Sequence, residues 1–169
     1  MKDAHILKLA KFIWLFPLLY FLHDLEEILT IESFLKEQAN VLPVRITAIE
    51  FSLAFMGLWV LGTIGCCRTA RGRTFLSMSP VMFLAFLVPG VLLANGTAHV
   101  LQLIILRSYV PGIVTSVLIL FPYAFASLKY LLMEKLITAK KCFFLFGLGF
   151  ILQLPLAGLA LLLAKWILR

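Results

Sequence analysis

A short polar segment near the start of the chain carries four ionisable side chains within five residues. Residues 23–27 read His-Asp-Leu-Glu-Glu. On a helix at 100° per residue, Glu26 lies about 60° to one side of His23 and Glu27 about 40° to the other. These three side chains therefore share one face if the segment is helical, whereas Asp24 is about 100° away and can point elsewhere.

A second polar stripe lies on a later segment that is otherwise apolar. Asn95, His99 and Gln102 fall within about 60° of one another on a helix. The stripe supplies a second imidazole and two carboxamides. Together with the first segment it can form one mixed site of imidazoles, carboxylates and amides.

Imidazole nitrogen and carboxylate oxygen suit zinc, iron or manganese. The His-x-x-Glu spacing places His23 and Glu26 one turn apart, and His99 would supply a ligand from another helix. We therefore predict these three residues as the ligands of a divalent metal, zinc or iron. Glu27 is then the predicted catalytic acid or base, and Asn95 is predicted to orient substrate or water.

The composition decides which kind of fold must position these residues. The chain has 169 residues, of which 63% are apolar and 14% are charged, and its mean hydropathy is +1.07. Soluble domains carry about a quarter charged residues. A soluble enzyme and a nucleic-acid-binding protein are therefore excluded, and the net charge of +7 is interpreted as lysines and arginines at helix ends.

Apolar segments of about 20 residues are long enough to cross a bilayer as helices. The first of them crosses only if it continues through residues 23–27 to about Ile31, which places the polar segment inside the membrane. A signal peptide is the alternative, but no small-residue cleavage site follows Leu22. We predict one all-α domain over 1–169, a bundle of five transmembrane helices at 12–31, 46–67, 80–106, 110–133 and 142–164.

Lysine and arginine side chains set the predicted orientation. Ten of them fall on the side of the N-terminus and five on the other side. The five are Lys36, Arg45, Arg107, Lys165 and Arg169. The bias predicts a cytoplasmic N-terminus and a C-terminus outside.

The orientation brings the polar side chains to one depth. His99 lies about 12 Å and Asn95 about 18 Å below the outer surface, while Glu27 and His23 lie about 10 and 16 Å below it. Glu50 opens the second span on the same side. Ionisable groups inside a bilayer normally face a protein interior or a cavity and act there. We therefore expect a polar cavity in the outer half of the bundle, widened by a bend at Pro89-Gly90.

Four further residues are possible additions to this site. Glu50 begins the second span, and Gln102 ends the polar stripe of the third. Arg107 and Tyr109 flank the outer mouth, where such residues are also ordinary interface anchors. Each of the four therefore has a structural alternative that the sequence leaves open.

The residues support several functions. The leading interpretation is a membrane-embedded, metal-dependent enzyme acting on a lipid-soluble substrate. A metal-free acid–base isomerase would use the same groups, and a hydrogen-bond network that only fixes the fold is a further alternative. A proton-coupled transporter or small-molecule-binding protein also stays open, although the chain shows no inverted repeat unless a homo-oligomer supplies one.

At these residues the sequence resembles the HXXEE family of small integral membrane proteins. The resemblance is carried by the segment 23–27, by Asn95-Gly-Thr-Ala-His99 and by Tyr109-Val-Pro-Gly112, in this order. It implies a shared site in an integral membrane protein but no particular reaction. The expected partner is a membrane lipid or a lipid-soluble molecule, and the expected location is a prokaryotic cell membrane.

Overall fold

The computed structural model describes residues 2–39 and 46–169, with side chains from Leu7 onward. In that part of the chain the protein is all-helical, without strands. Five helices follow one another: α1 Lys2–Glu37, α2 Ala48–Thr69, α3 Pro80–Leu106, α4 Ile113–Met133 and α5 Ala139–Ile167.

The structure has four helices that qualify as membrane spans instead of the predicted five, and the four later predicted spans match α2 to α5 within three residues at either end. Those four are long and apolar enough to cross a membrane. The predicted first span lies within α1, which is not among them. Lysines precede its apolar stretch, and the acids of residues 23–27 follow it. Arg45, used to predict the orientation, lies outside the described residues.

Two of the helices contain wider, π-helical segments, both next to polar residues of interest. Phe86–Leu93 in α3 contains Pro89 and ends just before Asn95. Ser116–Leu120 in α4 follows directly on Thr115. Proline lacks the amide hydrogen of a regular helix and crowds the preceding turn, and short π-helical segments often occur at functional sites. The expected disturbance at Pro89-Gly90 therefore takes the form of a widened turn.

The buried core lies where α1, α3 and α4 meet. It contains Ile13 and Phe16 of α1, Leu84 and Val88 of α3, and Leu120 of α4. In contrast, only 17% of the most apolar stretch of α2, and the same share in α5, is buried, as expected for helices that face lipid.

Glycines allow two close contacts between helices. A Cβ atom at Gly96 would lie 2.7 Å from the ring of Phe121, so α4 packs directly on the backbone of α3. A Cβ atom at Gly149 would overlap the backbone of Gly90. This second contact joins α5 to the π-helical segment of α3 and fixes their relative depth.

Candidate functional site

One buried stripe of α1 carries the first half of the site. Ile13 and Phe16 begin it, and His23, Glu27 and Ile31 continue it at helical spacing. His23 is fully buried, and Glu27 is 5% exposed. The stripe that packs α1 into the core therefore also carries an imidazole and a carboxylate inside the bundle.

Two imidazoles meet the carboxylate of Glu27. His99 Nε2 lies 3.1 Å from Glu27 Oε1, and His23 Nε2 lies 3.8 Å from the same oxygen. The two imidazole rings meet edge to face, with centroids 5.1 Å apart. Each of the three residues offers a ligand atom, and these atoms all lie within 4.8 Å of one another. This group of three buried residues could hold a metal ion.

The ring nitrogens of His99 are buried and lack hydrogen-bond partners among the described residues. The 3.1 Å contact with Glu27 is short enough for an ion pair, but it does not have the geometry of a hydrogen bond. Buried polar atoms are normally satisfied, and ring nitrogens are common metal ligands. The orphaned nitrogens of His99 therefore fit a site that binds a metal or a polar ligand.

A chain of hydrogen bonds orients His23. The Thr115 hydroxyl lies 2.5 Å from Glu26 Oε2 and 3.3 Å from the Gly112 carbonyl, so it donates its proton to the carboxylate. Its oxygen then accepts from His23 Nδ1–H at 2.8 Å. The network assigns the proton of neutral His23 to Nδ1, so the lone pair on Nε2 accepts from Asn95 Nδ2, and Glu27 Oε1 lies 3.8 Å from this nitrogen.

Glu26 is bound at the beginning of α4. Its carboxylate accepts hydrogen bonds from the backbone amides of Val114 and Thr115, at 3.1 and 2.7 Å. It also accepts from the hydroxyls of Thr115 and Tyr109, each at 2.5 Å. The first amides of a helix have no partner inside the helix and attract anions. Glu26 therefore accepts hydrogen bonds from the free amides at the start of α4 and, through Thr115, fixes the orientation of the His23 ring.

The two glutamates differ in their distance from the imidazoles. The sequence predicts Glu26 as a metal ligand and Glu27 as the acid or base, and these roles stay predictions. The structure brings Glu27 beside both imidazoles, while the oxygens of Glu26 are engaged by α4 and Tyr109. The physical reason is that Glu27 follows the buried stripe of α1 one turn after His23, whereas Glu26 lies toward the N-terminus of α4.

Asn95 joins the same cluster from α3. Its Nδ2 lies 2.8 Å from His23 Nε2 and 3.5 Å from the hydroxyl of Tyr20. The amide donates to the ring nitrogen, in agreement with the proton of His23 on Nδ1. A metal ion on Nε2 would take the place of this donor. Asn95 therefore lies where it can contact whatever binds at His23.

The connection between α3 and α4 closes over the site at Gly112. This residue has φ +83°, a left-handed conformation that side chains disfavour. A Cβ atom here would lie 2.7 Å from His23 Cε1 and 3.0 Å from Glu27 Cγ. The glycine of the Tyr-x-Pro-Gly segment therefore serves both the turn and the packing of the site.

The other candidate residues are distributed around the cluster. Tyr109 binds Glu26, and Gln102 is an exposed residue on the wall of a cavity described below. Arg107 ends α3 in a left-handed conformation at the surface. Glu50 belongs to a capping box with Thr47 at the start of α2. The structure therefore brings Tyr109 to the cluster, and Glu50 serves the end of a helix instead.

Asp24 is 1% exposed and does not point away from the bundle. Neither of its carboxylate oxygens has a hydrogen-bond partner among the described residues. Helical spacing predicts the direction of Asp24 relative to His23. It does not predict that the side of α1 on which Asp24 lies is also buried. Asp24 adds a second buried acid within one residue of the site.

A cavity of about 750 Å³ opens beside the cluster. Its walls come from α1, α2, α3 and α5 and are mostly apolar and aromatic. Ligand sites typically combine such walls with a few convergent polar groups. The polar lining residues are Tyr20, Glu27, Asn95, His99, Gln102 and Gln153.

Sequence reasoning missed Tyr20 and Thr115. Tyr20 falls on the buried stripe of α1 one turn before His23, so helical spacing could have found it. Thr115 lies in the first turn after Pro111-Gly112, a typical helix start, where free amides attract an acid. Its partnership with Glu26 depends on how α4 meets α1, which spacing alone does not give.

Tyr109 lies between the helices that could cross a membrane. Burial, and next its hydrogen bond to Glu26, raise the pKa of Tyr109 to about 12. The phenol therefore keeps its proton at neutral pH and remains a donor to Glu26.

Thr115→Val tests the hydrogen-bond chain because valine keeps the shape of threonine without the hydroxyl. It removes one donor to Glu26 and leaves His23 Nδ1–H without its acceptor. We expect the free energy of unfolding to fall by about 1–3 kcal/mol, measured by thermal unfolding in detergent. Thr115→Ser should restore most of the loss; equal stability of the valine variant and the wild type would contradict the chain.

Comparison with known proteins identifies the family. A family described as "Protein of unknown function with HXXEE motif" matches residues 14–127. The match includes His23, Glu27, Asn95 and His99 and ends before α5. No curated protein matches the sequence, and no solved structure matches it. Because the match covers more than half of the chain, the protein belongs to the HXXEE family, whose function is unknown.

Proposed function

We propose that this protein is a membrane-embedded, metal-dependent enzyme that acts on a lipid-soluble substrate. One observation carries the proposal. The ligand atoms of His23, Glu27 and His99 lie within 4.8 Å of one another, and the last two residues line a large apolar cavity. Two imidazoles and a carboxylate form a ligand set known from catalytic zinc sites.

In this proposal α1 also crosses the membrane, so that the bundle has five transmembrane helices, and the N-terminus lies in the cytoplasm. Its polar residues are buried against α3 and α4 rather than exposed to lipid. Burial of a carboxylate in hydrocarbon is unfavourable unless a cation or donors compensate it. A metal beside Glu27 and four donors on Glu26 would provide that compensation. The prokaryotic cell membrane expected as its location stays a prediction.

The surroundings of His23 support a metal-ligand role. Metal-binding histidines usually donate their second ring N–H to an acceptor that is itself anchored. His23 donates Nδ1–H to Thr115, which in turn donates to Glu26. Glu26 and Thr115 would therefore orient the ligand rather than bind the metal. Zinc or iron fits the donor set of nitrogen and oxygen.

His23, Glu27 and His99 would hold the metal, and three protein ligands are typical of catalytic zinc sites. A metal bound by them would supply Lewis-acid activation of a polar group. The protein contributes an apolar cavity that excludes water and holds the body of the substrate. Asn95 orients the reacting polar group, since its amide already reaches into the cluster. Glu27 is here a ligand, so the acid–base role predicted for it belongs to the second candidate.

A metal-free acid–base isomerase is the second candidate. The observation that favours it is the hydrogen bond of 2.8 Å between Asn95 Nδ2 and His23 Nε2, which occupies the ring nitrogen needed for a metal. Glu27 and His99, 3.1 Å apart, would then exchange a proton and move it between two carbons of the substrate. Asn95 would orient the substrate in this case as well.

Elemental analysis of the purified protein tests the proposal. We expect about one zinc or iron per chain in the wild type, and less than about a tenth of that in His99→Ala, since loss of one of three ligands opens the site. Cys67→Ser is the matched control because thiolates also bind these metals. Metal lost in Cys67→Ser and retained in His99→Ala, or a metal-free wild type, would overturn the proposal.

A further inference from the structure

The wall of the cavity opposite the candidate ligands carries a polar side chain that the proposed chemistry does not use. Gln153 of α5 lines the cavity that Glu27, Asn95 and His99 also line. Its Nε2 is buried and has no hydrogen-bond partner among the described residues. An unpaired amide in apolar surroundings is unfavourable. Rotation of the terminal amide toward the cavity would let a ligand oxygen satisfy it.

Gln153 lies at nearly the same depth as Asn95. The close contact between Gly149 and Gly90 fixes the depth of α5 against α3. From this contact Gln153 is four residues further along α5, about 6 Å, and Asn95 is five residues further along α3, about 7.5 Å. The two helices run in the same direction in the proposed topology. The two carboxamides therefore belong to one polar layer, and both line the cavity.

Apolar walls extend the cavity on both sides of this layer. Phe16, Phe75 and Phe83 line it toward the connection between α2 and α3. Phe34 and Phe51 line it toward the C-terminal end of α1 and the N-terminal end of α2. A ligand that fills this space has a long apolar body and meets most of the polar groups around the layer of Asn95 and Gln153, while Gln102 lies about 10 Å further along α3.

The side chains around the cavity do not favour an anionic head group. No lysine or arginine is found among the described residues that line it, whereas Glu27 contributes a carboxylate. A phosphate or carboxylate of a ligand would meet this acid without a side-chain cation to balance it. Glu27 itself already lies beside two imidazoles, so the groups left for a ligand are the carboxamides of Asn95 and Gln153, which fit a neutral oxygen function.

We propose that the cavity binds a neutral lipid with a single oxygen function, an alcohol or ketone, hydrogen-bonded to Gln153 across from Asn95. Gln153 is then a specificity-determining residue. That this lipid is the substrate rests on the proposed function. The binding itself depends on the cavity and on Gln153.

Photolabelling tests the binding. The probe is a 16-carbon primary alcohol with a mid-chain diazirine and a terminal alkyne, compared with the matched hydrocarbon and the matched carboxylic acid. Labelled residues are located by mass spectrometry. We expect the alcohol to label cavity residues at about tenfold lower concentration than the hydrocarbon, because a donor built into a site rejects a ligand that cannot accept from it. We expect the same order of preference over the carboxylic acid, because its charge would meet the carboxylate of Glu27. Equal labelling by the alcohol and the hydrocarbon would overturn the inference without any variant.

Gln153→Leu should remove the tenfold preference for the alcohol while labelling by the hydrocarbon persists. Gln38→Leu is the matched control, because this glutamine lies outside the cavity and contacts Ser108. A preference retained in Gln153→Leu would overturn the role of this residue. Measuring metal content in the same samples separates the two proposals. Metal-free protein that prefers the alcohol supports the lipid site alone, and metal-loaded protein without the preference supports the metal site alone.

Discussion

Glu27→Gln is expected to release the metal, whereas Glu26→Gln is expected to keep it with about 10–100-fold weaker affinity. The carboxylate of Glu27 lies 3.1 Å from His99 Nε2 and 3.8 Å from His23 Nε2, so glutamine would replace a ligand by a weaker, neutral donor. Glu26 does not contact the proposed metal position but binds Thr115, which in turn binds His23. In Glu26→Gln the amide oxygen would still accept hydrogen bonds, but the amide nitrogen could not, so His23 would be held less firmly.

Metal content after purification, followed by titration with a competing chelator, separates the two effects. A low metal content indicates that a ligand has been lost, and the chelator titration measures how far the affinity for the metal has weakened. Glu50→Gln is the control, since this carboxylate caps α2 at the surface. The reverse order, with metal lost in Glu26→Gln and retained in Glu27→Gln, would restore the assignment predicted from the sequence and contradict the structural one.

The different placement of the two glutamates shows the limit of reasoning from helical angles. Both acids lie within about 60° of His23, so the angles alone admit either as its neighbour. The choice is made by α4, whose first amides lie beside Glu26 and leave Glu27 to the cavity. The contact is nonlocal, because it joins residues nearly 90 positions apart in the chain.

The helices themselves were predictable because a local property determines them. Apolar length gave α2 to α5 within three residues at either end, since a helix that faces lipid must be continuous and apolar. Apolar length does not identify α1 as a span, because the residues around His23 and Glu27 are buried against other helices and need not be apolar. The cluster was predictable as a set of residue types at one depth, but the hydrogen-bond chain through Thr115 was not.

The placement of polar side chains also bears on transport. The ionisable side chains Glu27 and His99 lie together beside the layer of Asn95 and Gln153, and most of the remaining wall of the cavity is apolar. A proton pathway needs ionisable groups or water across the whole membrane. The described residues provide such groups only in this layer, which favours a site that binds and converts a ligand over a continuous relay.

Gly112→Ala should be the most damaging single substitution in the connection between α3 and α4. The left-handed backbone at φ +83° disfavours any side chain by roughly 1–2 kcal/mol. The added methyl group would also lie 2.7 Å from His23 Cε1, and overpacking typically costs about 1–3 kcal/mol. We therefore expect the free energy of unfolding to fall by about 2–5 kcal/mol and the metal to be lost from the protein that remains folded.

Gly72→Ala separates the two causes, because Gly72 has a similar φ of +77° but no atom within 4 Å of the added Cβ. It should show only the backbone effect of roughly 1–2 kcal/mol and keep its metal. Thermal unfolding in detergent and elemental analysis of both variants provide the comparison. Equal losses of stability, with metal retained in both, would mean that Gly112 serves the turn alone. A larger loss in Gly112→Ala, together with loss of metal, would show that this glycine shapes the site, because only there does the new methyl group meet the two residues of α1 proposed as ligands.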